Sequence, residues 1–176
     1  ARAQIKINAS TTVSPKNQSA IQSSTHSSHS NEGYYNPNIP LPKDVQAYLY
    51  QKVKERGLDF AQALAIIKIE SGFNPNAFSG SSYGYFQINK VNHQHLANKL
   101  GTPNAPYDPY VNINWGTYML ADLYATFKAK GYTGTQLTEA VLSSYNKGIG
   151  GYQRTGIATS YCQKYYSALK VVQSWL

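Results

Sequence analysis

Acidic side chains are scarce in this chain, four Asp and four Glu among 176 residues, so each can be weighed for chemistry. Glu70 stands out by its position. Phe60, Ala63, Leu64 and Ile67 recur at i, i+3, i+4 and i+7, the spacing of an apolar helical stripe, and Glu70 is the next position on that stripe. A carboxylate on the apolar face of a helix costs free energy unless it is paired or protonated. Ser71 and Gly72 follow, then Pro75, which reads as a helix end with a left-handed glycine cap. A carboxyl at such an end looks out of a core into a cleft. Desolvation and the negative end of the helix dipole would both raise its pKa, which suits a general acid at neutral pH.

The other chemistry-bearing types give weaker signals. His93 and His95 have metal-like spacing but no third ligand nearby, so they read as surface histidines beside a loop, and no metal or cofactor is expected. The lone Cys162 cannot form an intramolecular disulfide and reads as a buried small hydrophobe in a helix. Sixteen tyrosines are enough to line a glycan cleft with stacking faces and phenols, though each alone is more simply a packing residue.

The elements that must position Glu70 are helices. Residues 43–56 carry Val45, Leu49 and Val53 at helical spacing, stopped by Gly57. Asp59 is placed to cap the Glu70 helix. Residues 71–90, rich in Gly, Ser, Asn and Tyr, read as a loop or short hairpin. Further helices are expected over 112–130, 138–146 and 161–175, with a mobile glycine-rich stretch at 148–159. The fold class is mainly α, a single domain over residues 43–176 with a small loop or hairpin region beside the catalytic helix. Residues 1–42 differ sharply. Eleven of the twenty-one residues from 10 to 30 are Ser or Thr, too few of them apolar to offset ordering entropy, so 1–42 reads as a flexible linker with a Pro-rich boundary. Its His26 and His29 read as solvated linker histidines.

The net charge is +8, of which +6 falls in residues 43–176. That favours polyanionic surroundings. No dense Lys/Arg cluster appears, so nucleic acid is not the expected partner. No stretch is apolar enough to span a membrane. The chain begins at Ala1 without a secretory core segment, as a processed or excised domain would.

Five blocks in order carry a resemblance. Leu64-Ala65-Ile66-Ile67-Lys68-Ile69-Glu70-Ser71-Gly72-Phe73-Asn74-Pro75 resembles the catalytic-helix motif of lytic transglycosylases with a goose-lysozyme-like domain. Gly84-Tyr85-Phe86-Gln87-Ile88 resembles that family's substrate loop. Asp108-Pro109-Tyr110-Val111-Asn112-Ile113, with Gly116 and Tyr118-Met119-Leu120, is similar to its structural helix. Ser144-Tyr145-Asn146-Lys147-Gly148 resembles its tyrosine-asparagine motif, and Tyr161 falls where the family has a tyrosine near the acid. The resemblance implies a lysozyme-like fold, peptidoglycan glycan strands as partner, and action outside the cell, in the wall or in the periplasm. It implies cleavage between N-acetylmuramic acid and N-acetylglucosamine, with Glu70 as single acid and base and a 1,6-anhydro product end. Ser71 would orient Glu70 or bind glycan, Gly84 would let a sugar approach, Phe86 would form an apolar wall and Gln87 would meet an acetamide. Tyr145 and Asn146 would line the cleft floor, and Tyr161 would bond to Glu70.

Residues 71–107 hold no Asp or Glu, which favours transglycosylation over the two-carboxylate hydrolysis of goose-type lysozymes. Asp108, Asp122 and Glu139 remain as acids that could approach in space, although Asp108 reads as a cap and Glu139 as a first-turn helix acid. An inactive wall-binding module is the third reading.

Overall fold

In the computed structural model the described residues are 33–176, so the Ser/Thr-rich stretch with His26 and His29 lies outside them. Helix α1 (Lys43–Glu55) and helix α2 (Phe60–Ser71) are joined by a tight turn through Gly57. Asp59 caps α2 by accepting a hydrogen bond from the Ala61 N–H at 3.2 Å. Gly72, at φ 57° and ψ 34°, ends it in the left-handed conformation. The apolar stripe expected on α2 is only part of what is buried. Ala61, Gln62, Ala65 and Ile66 are buried as well, so α2 is enclosed on all sides, packed on α1 and along helix α6 (Thr159–Trp175). Leu64, Ile66 and Ile67 are fully buried, each stabilising by roughly 1.5–3 kcal/mol. The polar exception, Gln62, accepts from the Tyr124 phenol at 2.8 Å.

Packing begins ahead of Lys43, where the sequence reading placed the start of the domain. Ile39 and Leu41 are buried between exposed prolines. The buried Gln46 amide donates to the carbonyls of Asn36, Ile39 and Leu41 at 3.1, 3.1 and 2.8 Å. Asn36 in turn donates to the Trp175 carbonyl at 2.7 Å. The Pro-rich segment is thus a strap across the helical body. Two alternating apolar residues are too short a signal to be read as core from sequence.

Beyond α2 lies a small antiparallel sheet, in spatial order β1 (Phe78–Ser79), β2 (Ser82–Tyr83) and β3 (Ile88–Asn89). A short 3-10 turn (Lys90–Asn92) leads into α3 (His93–Leu100), a helix the sequence reading did not assign. Its buried His93, Leu96 and Ala97 fall at i, i+3 and i+4 among polar neighbours.

Helix α4 (Pro109–Ala129) starts earlier than expected because Asp108 caps it, accepting from the N–H groups of Tyr110 and Val111 at 2.9 and 3.1 Å. Helix α5 (Gly134–Thr155) also starts early and does not stop at Gly148. Gly148 (φ 76°, ψ 158°) kinks it, and the stretch read as a mobile loop is helical to Thr155. Glu139 therefore lies in the second turn of α5, not the first.

Candidate functional site

Glu70 sits in the last turn of α2, half-buried, where the enclosed part of the helix gives way to solvent. The hydroxyl of Ser71 turns back and donates to the Ile67 carbonyl of its own helix at 2.9 Å. The chain then leaves through Phe73, a non-glycine residue at φ 62°, and the turn 74–77.

This exit is bonded to the loop that carries Gln87. The Ala77 carbonyl accepts from the Gly84 N–H at 2.8 Å and from the Gln87 side-chain amide at 3.0 Å. The same amide donates to the Gly84 carbonyl at 3.0 Å. Gln87 is buried and holds φ at 50°. A left-handed conformation in a non-glycine residue costs on the order of 1–3 kcal/mol and persists only where its surroundings over-determine it. Here the amide bonds of its own side chain do so. The nitrogen expected to meet an acetamide is used to fix the loop.

Phe86 departs further from expectation. It is fully buried rather than a cleft wall. Its ring lies against Gly116 of α4, where a Cβ would come within 2.2 Å of the ring. Its N–H donates to Asn112 Oδ1 at 2.8 Å, and its carbonyl accepts from the Tyr145 phenol. Asn112, also buried, donates from Nδ2 to the carbonyls of Tyr83 and Pro106 at 2.9 and 2.8 Å. Gly84, at φ 76°, is needed for the same reason. A Cβ there would lie 2.3 Å from Asn112 Nδ2, so the glycine permits close approach of the protein's own amide. One side chain of α4 and one of α5 thus hold the loop through the backbone N–H and carbonyl of Phe86. Asn146 is half-buried beside Tyr145, and Tyr161 is buried in the first turn of α6, the helix that packs along α2.

The chain matches the family described as Transglycosylase SLT domain over residues 47–167. It belongs to that family. It is 34% identical over 130 residues to membrane-bound lytic murein transglycosylase C of Yersinia enterocolitica, covering 66% of this chain and 36% of that protein. It is 36% identical over 132 residues to the protein of the same name from Edwardsiella ictaluri, with the same coverage. The chain therefore spans about a third of the length of these curated relatives. Among solved structures it is similar to an inactive mutant of lytic transglycosylase Slt from Pseudomonas aeruginosa, with a TM-score of 0.52 and 23% identity over 73% of this chain and 22% of that one. It is also similar to the 70 kDa soluble lytic transglycosylase of Escherichia coli, with a TM-score of 0.51 and 21% identity over 73% and 21% of the two chains. The mainly α, lysozyme-like fold is shared with both.

The acids of this SLT domain now have addresses. Asp59 and Asp108 cap helices. Glu55 pairs with Lys52 at 3.2 Å. Glu139 faces Cys162 and Tyr166, whose pKa values are raised first by burial and then by its charge. Asp122 is half-buried midway along α4. Asp44, which no motif selected, accepts a short hydrogen bond from the Tyr110 phenol. Burial first, and then Asp44, raise the pKa of both Tyr110 and Tyr85, so this carboxylate faces both α4 and the Gln87 loop. From sequence it was an ordinary first-turn helix acid, with no signal to separate it. Next to it, burial pushes the Tyr48 phenol up to about 12 against the opposing pull of Arg56.

His93 is not the surface residue expected. It is buried between the rings of Tyr83 and Trp115, and its Nε2 donates to the Ile88 carbonyl at 2.8 Å. That bond places the proton on Nε2, since a carbonyl can only accept. Burial holds its pKa below the ordinary value. It supports β3 from beneath.

Proposed function

We propose that this SLT domain cleaves the glycan strand of peptidoglycan between N-acetylmuramic acid and N-acetylglucosamine, without water, with Glu70 as the single acid and base. The observation that carries the reading is the distribution of acids. Glu70 ends the central helix, and the chain from there through the loop bonded to its exit, residues 71–107, holds no other carboxyl group.

The protonated Glu70 gives its proton to the glycosidic oxygen as the bond from C1 of the muramyl sugar breaks. The carbonyl oxygen of that sugar's own acetamide stabilises the positive charge developing at C1. Glu70, now a carboxylate, takes the proton of the muramyl C6 hydroxyl, whose oxygen bonds to C1. One bond is broken and one formed, Glu70 regains its proton, and the new end is a 1,6-anhydro ring. The C6 hydroxyl is tethered to the reacting sugar, so its attack carries a large effective molarity over a free water. Tyr145 and Asn146 are assigned to the floor of this cleft, Ser71 to orienting Glu70 or binding glycan and Tyr161 to a hydrogen bond with Glu70, and the loop fixed by Asn112 and Tyr145 to its wall. A rigid wall is what a single-acid mechanism needs, because the sugar must be held while one group acts twice. The relatives named as membrane-bound murein transglycosylases support action at the wall or in the periplasm. Among the described residues no helix is long and apolar enough to cross a membrane.

Mass spectrometry of sugars released from purified peptidoglycan tests the reaction. Transglycosylation gives muramyl ends lighter by one water that resist borohydride. Reducible muramic ends would show hydrolysis, and binding without release would show an inactive wall-binding module.

A further inference from the structure

The chain turns sharply just after Glu70. The Asn74 N–H donates to the Ser71 carbonyl at 3.1 Å. Both residues between them are left-handed, Gly72 at φ 57° and Phe73 at φ 62°. A turn with two positive φ angles is dominated by Gly, Asn and Asp. Gly72 meets that demand freely, but a bulky residue such as Phe73 rarely adopts this conformation. Its support comes from the far end of the sequence. The ring of Trp175, the half-buried last residue of α6, has its centroid 5.8 Å from that of Phe73. Trp175 is fixed in turn, since its carbonyl accepts from the Asn36 side-chain amide at 2.7 Å. Asn36 is bonded twice to the fully buried Gln46. Its N–H donates to Oε1 at 2.9 Å and its carbonyl accepts from Nε2 at 3.1 Å. Asn36 and Trp175 both lie outside residues 47–167, the stretch that matches the family.

We propose that Trp175, anchored by Asn36, is a positioning residue for Glu70 that acts through the left-handed Phe73, an inference that rests on the role given to Glu70 above. Phe73 lies between Glu70 and Ala77, whose carbonyl receives the Gly84 N–H and the Gln87 amide. The conformation of Phe73 therefore sets the acid against the Gln87 loop. A relaxation of Phe73 to negative φ would redirect the chain leaving α2 and break the Ser71–Asn74 bond. The carboxyl must reach the glycosidic oxygen and then the C6 hydroxyl, and a misplacement of about 1 Å can cost about 10²-fold in rate. Binding of the strand along the cleft does not depend on the aim of one carboxyl, so the effect falls on kcat rather than KM.

A mutant cycle on soluble glycan strands tests this. Trp175→Ala should lower kcat by about tenfold or more with KM changed by less than about twofold. Trp175→Phe, which keeps a ring against Phe73, should retain most of kcat. Phe73→Asn supplies a residue that tolerates the left-handed conformation unaided. Adding Trp175→Ala to Phe73→Asn should therefore change kcat by less than about twofold, the non-additivity of coupled residues. An unchanged kcat in Trp175→Ala overturns the proposal. So does a loss that is equally large in the Phe73→Asn background, which would make Trp175 a merely structural residue. Hydrogen exchange gives a readout that needs no activity. The Gly84 amide, bonded to the Ala77 carbonyl, should exchange about tenfold faster in Trp175→Ala and in Asn36→Ala, and regain protection in Trp175→Ala when Phe73→Asn is added. Unmoved exchange overturns the clamp. If Trp175→Ala does not fold, Asn36→Ala takes its place in both measurements. If the wild type cuts no glycan, the proposed reaction fails, and the exchange result alone upholds or overturns the clamp on the turn after Glu70.

Discussion

Gly116→Ala isolates how the protein holds its loop. In the middle of an ordinary helix this change stabilises, by up to about 1 kcal/mol of helix propensity. In α4 the new Cβ would lie 2.2, 2.5 and 2.7 Å from Cγ, Cδ2 and Cβ of Phe86. Carbon atoms in contact sit about 3.5–4.0 Å apart, so the shortfall exceeds 1 Å. Phe86 cannot withdraw easily. Its side chain is fully buried, its N–H is bonded to Asn112 and its carbonyl to Tyr145. Overpacking a tight core costs about 1–3 kcal/mol and occasionally more. With the propensity gain subtracted, the change should still destabilise, lowering the melting temperature by several degrees at roughly 3–5 °C per kcal/mol. Activity should fall by more than stability does, since the added methyl pushes on Phe86, the residue before Gln87. Gly150→Ala is the control. Its Cβ would meet only the far end of the Arg154 side chain, 3.1 Å away, so it should be neutral or stabilising. Phe86→Leu combined with Gly116→Ala should recover part of the loss, as coupled neighbours do. A Gly116→Ala protein that melts at or above the wild type, with unchanged turnover, would refute the account of the loop.

Four further outcomes follow from the site. Glu70→Gln should reduce wall lysis by about 10²–10⁴-fold or more at an unchanged melting temperature, since it removes proton transfer and keeps shape. Tyr145→Phe takes a donor from the buried Phe86 carbonyl and should cost about 1–3 kcal/mol in denaturant unfolding. Asp44→Asn should slow turnover by less than tenfold and leave the product ends anhydro, because its place is to hold Tyr110 and face Tyr85; reducible ends from the wild type that vanish in Asp44→Asn would instead make it a water-activating base. For His93 the folded pKa is depressed, so the unfolded chain takes up the proton first as pH falls. Its contribution is therefore full above about pH 6.5 and declines below it, and His93→Gln should flatten the fall in melting temperature on acidification in that range.

What the sequence revealed depended on whether the signal was local. Asp59, Gly72 and Asp108 were readable as caps because a cap needs one residue type at one offset, and all three act so. The burial of Cys162 followed from the ordinary behaviour of a lone Cys in a helix, which packs as a small hydrophobe. Helix α3 was missed because Leu96 and Ala97 give its stripe little apolar content and His93 hides the third position. The strap at Ile39 and Leu41 was missed because its partner, Gln46, reads as an exposed helix residue until the fold turns three carbonyls toward it. Gly148 was read as a stop because a left-handed glycine commonly ends a helix. Here the chain re-enters helical geometry at once, which one glycine cannot announce.

The same reasoning changes what the loop motif means. Gly84, Phe86 and the Gln87 amide read as substrate contacts because their block resembles the family's substrate loop. Each has a partner inside the protein: Asn112 for Gly84, Gly116 for Phe86, and Ala77 for Gln87. Those partners lie in other blocks of the resemblance or in the chain leaving α2. The spacing of the motifs is therefore set first by how the blocks fit one another. A loop that must keep Gln87 at φ 50° needs bonds on the residue before it to stay there. Asn112 and Tyr145 supply them from two helices that pack together. The chemistry assigned to Glu70 then depends on residues that hold the loop in place. Any change that frees the loop should reduce turnover while Glu70 itself is intact.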